Sequence, residues 1–148
     1  MKLLLTLTIA TLLTGCASTP QYKNYQGADA ACIEGDVANF IKFFSSGEAH
    51  VGIAEIDGVV ADSMGKNCVS PGKHTFGLTA NNNQKAVDGY VDLELESGKH
   101  YQLQANLVGI SFAFKLVDIS SKPEQIAHEF KLTANANMPV NYVPVIIQ

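Results

Sequence analysis

Between Val91 and Leu107 the chain alternates apolar and polar side chains almost without a break, and no other feature restricts its fold as strongly. Val91, Leu93 and Leu95 are interleaved with Asp92, Glu94 and Glu96, and Tyr101, Leu103, Ala105 and Leu107 with Gln102, Gln104 and Asn106. Successive side chains of a strand point to opposite faces, so a period of two describes half-buried strands with a carboxylate or amide face in water. A helix would spread the same residues around its circumference. Ser97-Gly98-Lys99 supplies turn chemistry between the runs, and together they read as a β-hairpin.

Comparable strands are expected at Ala49 to Ile56, ended by Asp57-Gly58; at His74 to Ala80, between Pro71-Gly72 and Asn81-Asn82-Asn83; and at Ile110 to Ile119. A short strand at Ala31 to Glu34 carries Cys32. Short strands punctuated by Gly, Pro and Asn predict an all-β fold, a small antiparallel β-sandwich of Ig or prealbumin-like form. Val37 to Phe44 brings Phe40, Ile41, Phe43 and Phe44 together and is compatible with a short helix or an irregular apolar plug. From about Ser120 the chain changes character, as a C-terminal extension. Pro123 to Phe130 fits one or two helical turns, Asn135 to Asn141 is turn-rich, and Val143 to Ile147 is apolar with Pro144 suited to an edge. Packing against the core is the expected fate of that last segment; exposed, it would offer a site for strand addition.

The 148 residues carry a formal net charge of −4, and every one of the 10 basic side chains is lysine. Nucleic acid is an unsuitable partner for such a chain, because binding it needs several phosphate-neutralising cations on one face. Without arginine the bidentate grip on phosphate and carboxylate is also missing.

The N-terminus tells where the protein resides. Lys2 precedes an apolar run from Leu3 to Leu13, too short for the roughly 20 residues that span a hydrocarbon core, so it reads as a processed signal. The run closes on Leu13-Thr14-Gly15-Cys16, which resembles the lipobox of bacterial lipoproteins. That resemblance implies a signal peptide over residues 1–15, cleavage before Cys16, a diacylglycerol on the Cys16 thiol and an acyl chain, typically palmitate, on the new amine. Two or three buried acyl chains hold a protein at a membrane where one would bind reversibly. Ala17 stands where an aspartate would retain such a lipoprotein at the inner membrane, so the expected location is the outer membrane, facing the periplasm. Residues 16–27 lack periodicity and read as the lipidated cysteine and a flexible tether reaching at most about 40 Å; residues 28–148 form one domain.

With Cys16 assigned to lipid, Cys32 and Cys68 remain of the three cysteines and suit an oxidising compartment as a disulfide. They form no Cys-x-x-Cys pair and no histidine sits beside either at ligand spacing, which disfavours a redox or metal role.

Ile53-Ala54-Glu55-Ile56-Asp57-Gly58, Ser70-Pro71-Gly72-Lys73-His74-Thr75-Phe76 and Ser97-Gly98-Lys99-His100-Tyr101-Gln102-Leu103 resemble the turn-and-strand pattern of PEGA-like β-sandwich domains, which occur in Gram-negative lipoproteins. The resemblance covers roughly Ala49 to Asp118 and implies a fold without catalytic residues. Gly-Lys-His at 72–74 and at 98–100 makes His74 and His100 weak metal candidates, but they lie in opposite strand phases and no metal is expected; His50 and His128 are less assignable still. Ser63 and Ser70 lack a nucleophile-elbow setting, and no phosphate loop is present, so no catalytic residue and no cofactor are expected. The expected function is that of a lipid-anchored, non-catalytic envelope protein, bound to the membrane through Cys16 and to another envelope protein through its domain. The alternatives are an inhibitor of a hydrolase such as lysozyme or a protease, and a metal- or glycan-binding module.

Overall fold

The computed structural model describes residues 20–36, 48–82 and 85–133. The described chain is all-β, with nine strands: β1 (Ala31–Glu34), β2 (Glu48–Ile56), β3 (Val59–Val60), β4 (Lys66–Val69), β5 (Gly72–Asn81), β6 (Ala86–Leu95), β7 (His100–Val108), β8 (Ser111–Asp118) and β9 (Gln125–Thr133). The signal peptide, Cys16, the Val37 to Phe44 segment, Asn83 and the segments Asn135 to Asn141 and Val143 to Ile147 lie outside the described residues.

β3, β2, β5 and β6 form one layer. The other runs β4, β1, β7, β8, β9. β2 belongs to both, because Ala49 stands opposite Ala105 of β7 before the strand crosses to pair with β5, shifting register between Ile53 and Glu55. Alternation is strict along β6, whose residues are buried at every second position. Phe76, Leu78, Leu93 and Leu95 from one layer meet Ile33, Leu103, Phe112, Phe114 and Leu116 from the other in a single core. Each such side chain, fully buried, contributes roughly 1.5–3 kcal/mol. Phe114 and Phe130 stack at 4.9 Å between ring centroids, fixing β9 on β8.

Asp57-Gly58 forms the two-residue turn between β2 and β3, with φ of 51° and 76°. Both central residues of a type I′ hairpin turn require positive φ, which is why Asp-Gly is found there.

Four expectations need correcting. β6 and β7 do not form a hairpin: β6 pairs with β5 along its whole length, while β7 pairs with β1, β2 and β8. The Ser97-Gly98 turn therefore carries the chain from one layer to the other. Period-two alternation determines which face is buried, not which strand lies alongside, and the ten-residue ladder with β5 decides the neighbour. The sandwich is also not wholly antiparallel, since β1 lies parallel to β7, with Cys32 level with His100.

The helical turns expected within Pro123 to Phe130 are instead the start of β9, which pairs with β8 from Asp118↔Gln125 to Ser111↔Thr133. An isolated helix of that length is marginal in water, and the open edge of β8 offers a complete backbone ladder. Finally, Gln21 to Tyr25, expected within a flexible tether, lie against strand edges. Tyr22 N donates to Val60 O at 2.7 Å and Tyr25 N to Cys68 O at 2.9 Å, and Gln21 bridges Val60 in parallel. The segment covers the edges of β3 and β4, groups that would otherwise invite pairing with another chain.

Candidate functional surface

The Cys32–Cys68 disulfide is present, joining residues directly opposite in the antiparallel β1–β4 pair with a Cα–Cα distance of 4.1 Å. The backbone hydrogen bonds explain why two cysteines fit there. Cys32 N donates to Lys99 O at 2.9 Å and Cys68 N to Asn24 Oδ1 at 2.7 Å. The two residues thus form a non-hydrogen-bonded pair, the kind in which facing side chains come closest.

His74, on β5, lies between a carboxylate and a serine. Its Nδ1 is 2.7 Å from Asp57 Oδ2, and its Nε2 is 3.4 Å from Ser70 Oγ. The order Asp-His-Ser invites a comparison with a nucleophilic triad, and the third contact decides against it. Ser70's carbonyl oxygen is only 2.8 Å from Nε2 and can only accept a hydrogen bond. Nε2 thus lies nearer the carbonyl than the hydroxyl, whereas a general base needs a free lone pair aimed at the hydroxyl. His74 serves as a clamp: it holds Asp57, whose Oδ1 accepts from Thr75 N at 2.9 Å, and so pins the β2–β3 turn.

His74 and His100 lie in different layers, at the positions of Leu93 and Cys32 respectively. Both nitrogens of His74 are engaged, and His100 Nε2 is buried without a partner. His50 Nδ1 lies 3.2 Å from Asp36 O. The His128 ring is 5.9 Å from that of Phe130. Among the described residues no three His, Cys, Asp or Glu side chains are grouped to hold a metal ion.

A tight polar cluster unanticipated in the sequence is centred on Asp118, which is buried. Its Oδ2 accepts from Lys99 Nζ at 2.7 Å and from Ser121 Oγ at 2.6 Å. Its Oδ1 accepts from Ser120 N at 2.9 Å, from Ser121 N at 3.3 Å and from the Ser120 hydroxyl. The Lys99 ammonium, helped by the two serine hydroxyls, holds the carboxyl well below the usual range. With its acceptor sites occupied, Asp118 is a fastener between the 97–99 crossing and the end of β8. The signal for it was the string Asp118-Ile119-Ser120-Ser121, since Asp side chains commonly bond backbone N–H groups two residues on.

The outer face of β5 and β6 is different: open, acidic and centred on an aromatic ring. Tyr90 OH donates to Glu55 Oε2 at 2.8 Å, across Gly77 between them. A Cβ at Gly77 would come within 2.9 Å of Glu55 Cβ and 3.0 Å of Tyr90 Cε1, so the glycine is what lets the ring lie flat on the sheet. The Glu55 hydrogen bond raises the phenol's pKa. Around the ring stand exposed Asp88, Asp92 and Glu94. Asp92 is joined to Lys73 at 2.9 Å and to Thr75 Oγ1 at 2.7 Å. The solvated face expected for Asp92 and Glu94 is in place, and the structure adds a platform whose sequence marker was the lone glycine inside a strand.

No family model matches the chain, and neither the curated proteins nor the solved structures give a match.

Proposed function

We propose that the chain is a lipid-anchored protein of the bacterial envelope, non-catalytic, whose β-domain binds another envelope protein from the periplasmic side of the outer membrane. The observation that carries this reading is Leu13-Thr14-Gly15-Cys16 closing a signal-like apolar run. The pairing of Cys32 with Cys68 supports it, since it leaves Cys16 alone for acylation and suits an oxidising compartment. The PEGA-like resemblance belongs to the same reading.

Cys16→Ala tests the anchor: the variant is expected to lose its acyl mass and leave the membrane fraction, and retention of both sinks the reading. In-cell crosslinking of the acylated protein, followed by mass spectrometry of captured material, tests the partner. A single dominant envelope protein is the expected result; repeated capture of none argues against a binding module.

A second reading, inhibition of a cationic hydrolase such as a lysozyme, is favoured by the acidic face around Tyr90. Opposite charge steers association and is screened by salt, so inhibition through this face weakens as ionic strength rises. Loss of inhibition in Asp88→Lys together with Asp92→Lys would locate it there; no inhibition at low salt removes this reading.

A further inference from the structure

The strand register lays one row of residues straight across the outer face of the β3–β2–β5–β6 layer. Val60 of β3 stands opposite Glu55 of β2, Glu55 opposite Gly77 of β5, and Gly77 opposite Tyr90 of β6. Directly opposite residues share a face, so Val60, Glu55 and Tyr90 rise from the same side of the sheet. Val60 is 44% exposed and Tyr90 48%. The row spans three strand spacings, roughly 14 Å, with an apolar side chain at one end and an aromatic ring at the other. Between them the Glu55 carboxylate holds the ring's hydroxyl. Because Gly77 has no side chain, one face of the ring rests on the sheet and the other is turned to solvent.

The charges around that ring are one-sided. Asp88 and Asp92 stand about 7 Å to either side of Tyr90 along β6, with Glu94 one step beyond Asp92 on the same face. Opposite them on β5 stand Thr79, Thr75 and Lys73. Lys73 is the ammonium of this array and is paired with Asp92, which Thr75 also binds. Glu55 accepts from a neutral phenol. Asp88 and Glu94 have no hydrogen-bond or ion-pair partner among the described residues.

We propose that this face is the docking site for a protein partner that lays a basic side chain, best an arginine, on the Tyr90 ring beside Asp88 and Asp92, and an apolar side chain against Val60. The inference rests on the reading that the domain binds another envelope protein, and names the chemistry by which it does so. A cation within about 6 Å of a tyrosine ring's centroid is attracted by the ring's quadrupole, and the flanking carboxylates add to that attraction. A planar guanidinium stacks on a ring and forks to a carboxylate, which an ammonium does not.

Other occupants fit less well. A sugar stacked on the ring needs hydrogen-bond donors as well as acceptors, whereas ionised carboxylates only accept. A small free cation meets an open sheet face and no concave pocket to enclose it. A second copy of this chain brings the same acidic face, a net charge of −4 and no arginine.

The full acylated chain in zwitterionic detergent micelles is titrated with millimolar acetyl-Gly-Gly-Arg-Gly-Gly-amide, and with the same peptide carrying citrulline for arginine, which removes the charge and barely alters the shape. Aromatic and amide NMR shifts locate the binding. They are expected at Tyr90, at Gly77 and along 88–92, with the citrulline peptide about fivefold weaker. Tyr90→Leu should weaken the arginine peptide about threefold, while Tyr90→Phe, which keeps the ring, should bind as the parent does. Equal affinity for the two peptides, or an unweakened Tyr90→Leu, overturns the proposal, as do shifts elsewhere or none. Stronger perturbation of Tyr90 by chitotriose than by the arginine peptide overturns it in favour of a glycan. In cells, a benzophenone side chain at Thr79 is expected to give a protein adduct that is lost in Tyr90→Leu. An adduct that survives that substitution, or no adduct at 79 while a partner is still captured elsewhere on the domain, overturns this inference alone; capture of no partner from any position overturns the partner reading and this inference with it.

Discussion

Removing the disulfide by Cys32→Ser with Cys68→Ser should cost this domain a large share of its stability. The bridge closes a loop with a sequence separation of 36 residues. In the chain-entropy model such a cross-link removes about 13 cal/mol/K from the unfolded ensemble, or about 4 kcal/mol at 25 °C. Small domains have about 5–15 kcal/mol in total. With an unfolding entropy of about 2.1 cal/mol/K per residue, the loss corresponds to a fall in Tm of about 15 °C. The native side of the balance changes little. β1 and β4 remain registered over Ala31↔Val69 to Glu34↔Lys66. Asn24 and Tyr25 still hold Cys68's backbone groups, now those of a serine. The double variant should therefore fold to the same sandwich and unfold at lower denaturant, with a slope no smaller than the parent's because its unfolded chain is less constrained. Urea titration followed by far-UV circular dichroism, on parent and double variant, measures both quantities. A stability within about 1 kcal/mol of the parent would refute the reasoning, since the loop term would then be absent or cancelled by native strain.

Asp118→Asn removes the charge that Lys99, Ser120 and Ser121 surround, and should destabilise the domain by about 2–3 kcal/mol in the same titration. The parent carboxyl is held below its ordinary value of 3.8, so it contributes fully above about pH 5, and that contribution is lost as the pH falls through the unfolded value toward the folded one. Thermal melts from pH 5 to pH 2 should accordingly fall less steeply in Asp118→Asn than in the parent; parallel slopes would mean the cluster is not what holds the carboxyl ionised. Gly77→Ala forces its new methyl against Glu55 Cβ and the Tyr90 ring, for a net loss of about 1 kcal/mol after the gain from replacing a strand glycine. Displacing the ring should also break its bond to Glu55 and bring the Tyr90 titration, followed by ultraviolet absorbance, back down toward its ordinary value. His74→Gln should lower the melting temperature by loosening the Asp57-Gly58 turn, and a variant as stable as the parent would show that the clamp carries no weight.

What could be read from the residues follows a physical line. Strand positions, buried faces and hairpin chemistry are local properties, so Asp57-Gly58, the β6 alternation and the Cys32-bearing strand were visible one segment at a time. Partners are not local. Ser97-Gly98-Lys99 is equally good chemistry for a hairpin and for a crossing between layers, and only the competition between β5 and β7 for β6's edge distinguishes them. The same holds for β9, whose sequence tolerates a helical turn until the edge of β8 is available. The N-terminal segment misled in a more consequential way. Gln21 to Gly27 has the composition of a linker, yet Tyr22 packs against the core and the backbone, with Asn24, supplies the groups that satisfy β3 and β4. Polar composition measures how little apolar surface a segment removes from water, and says nothing about whether an unpaired sheet edge needs it.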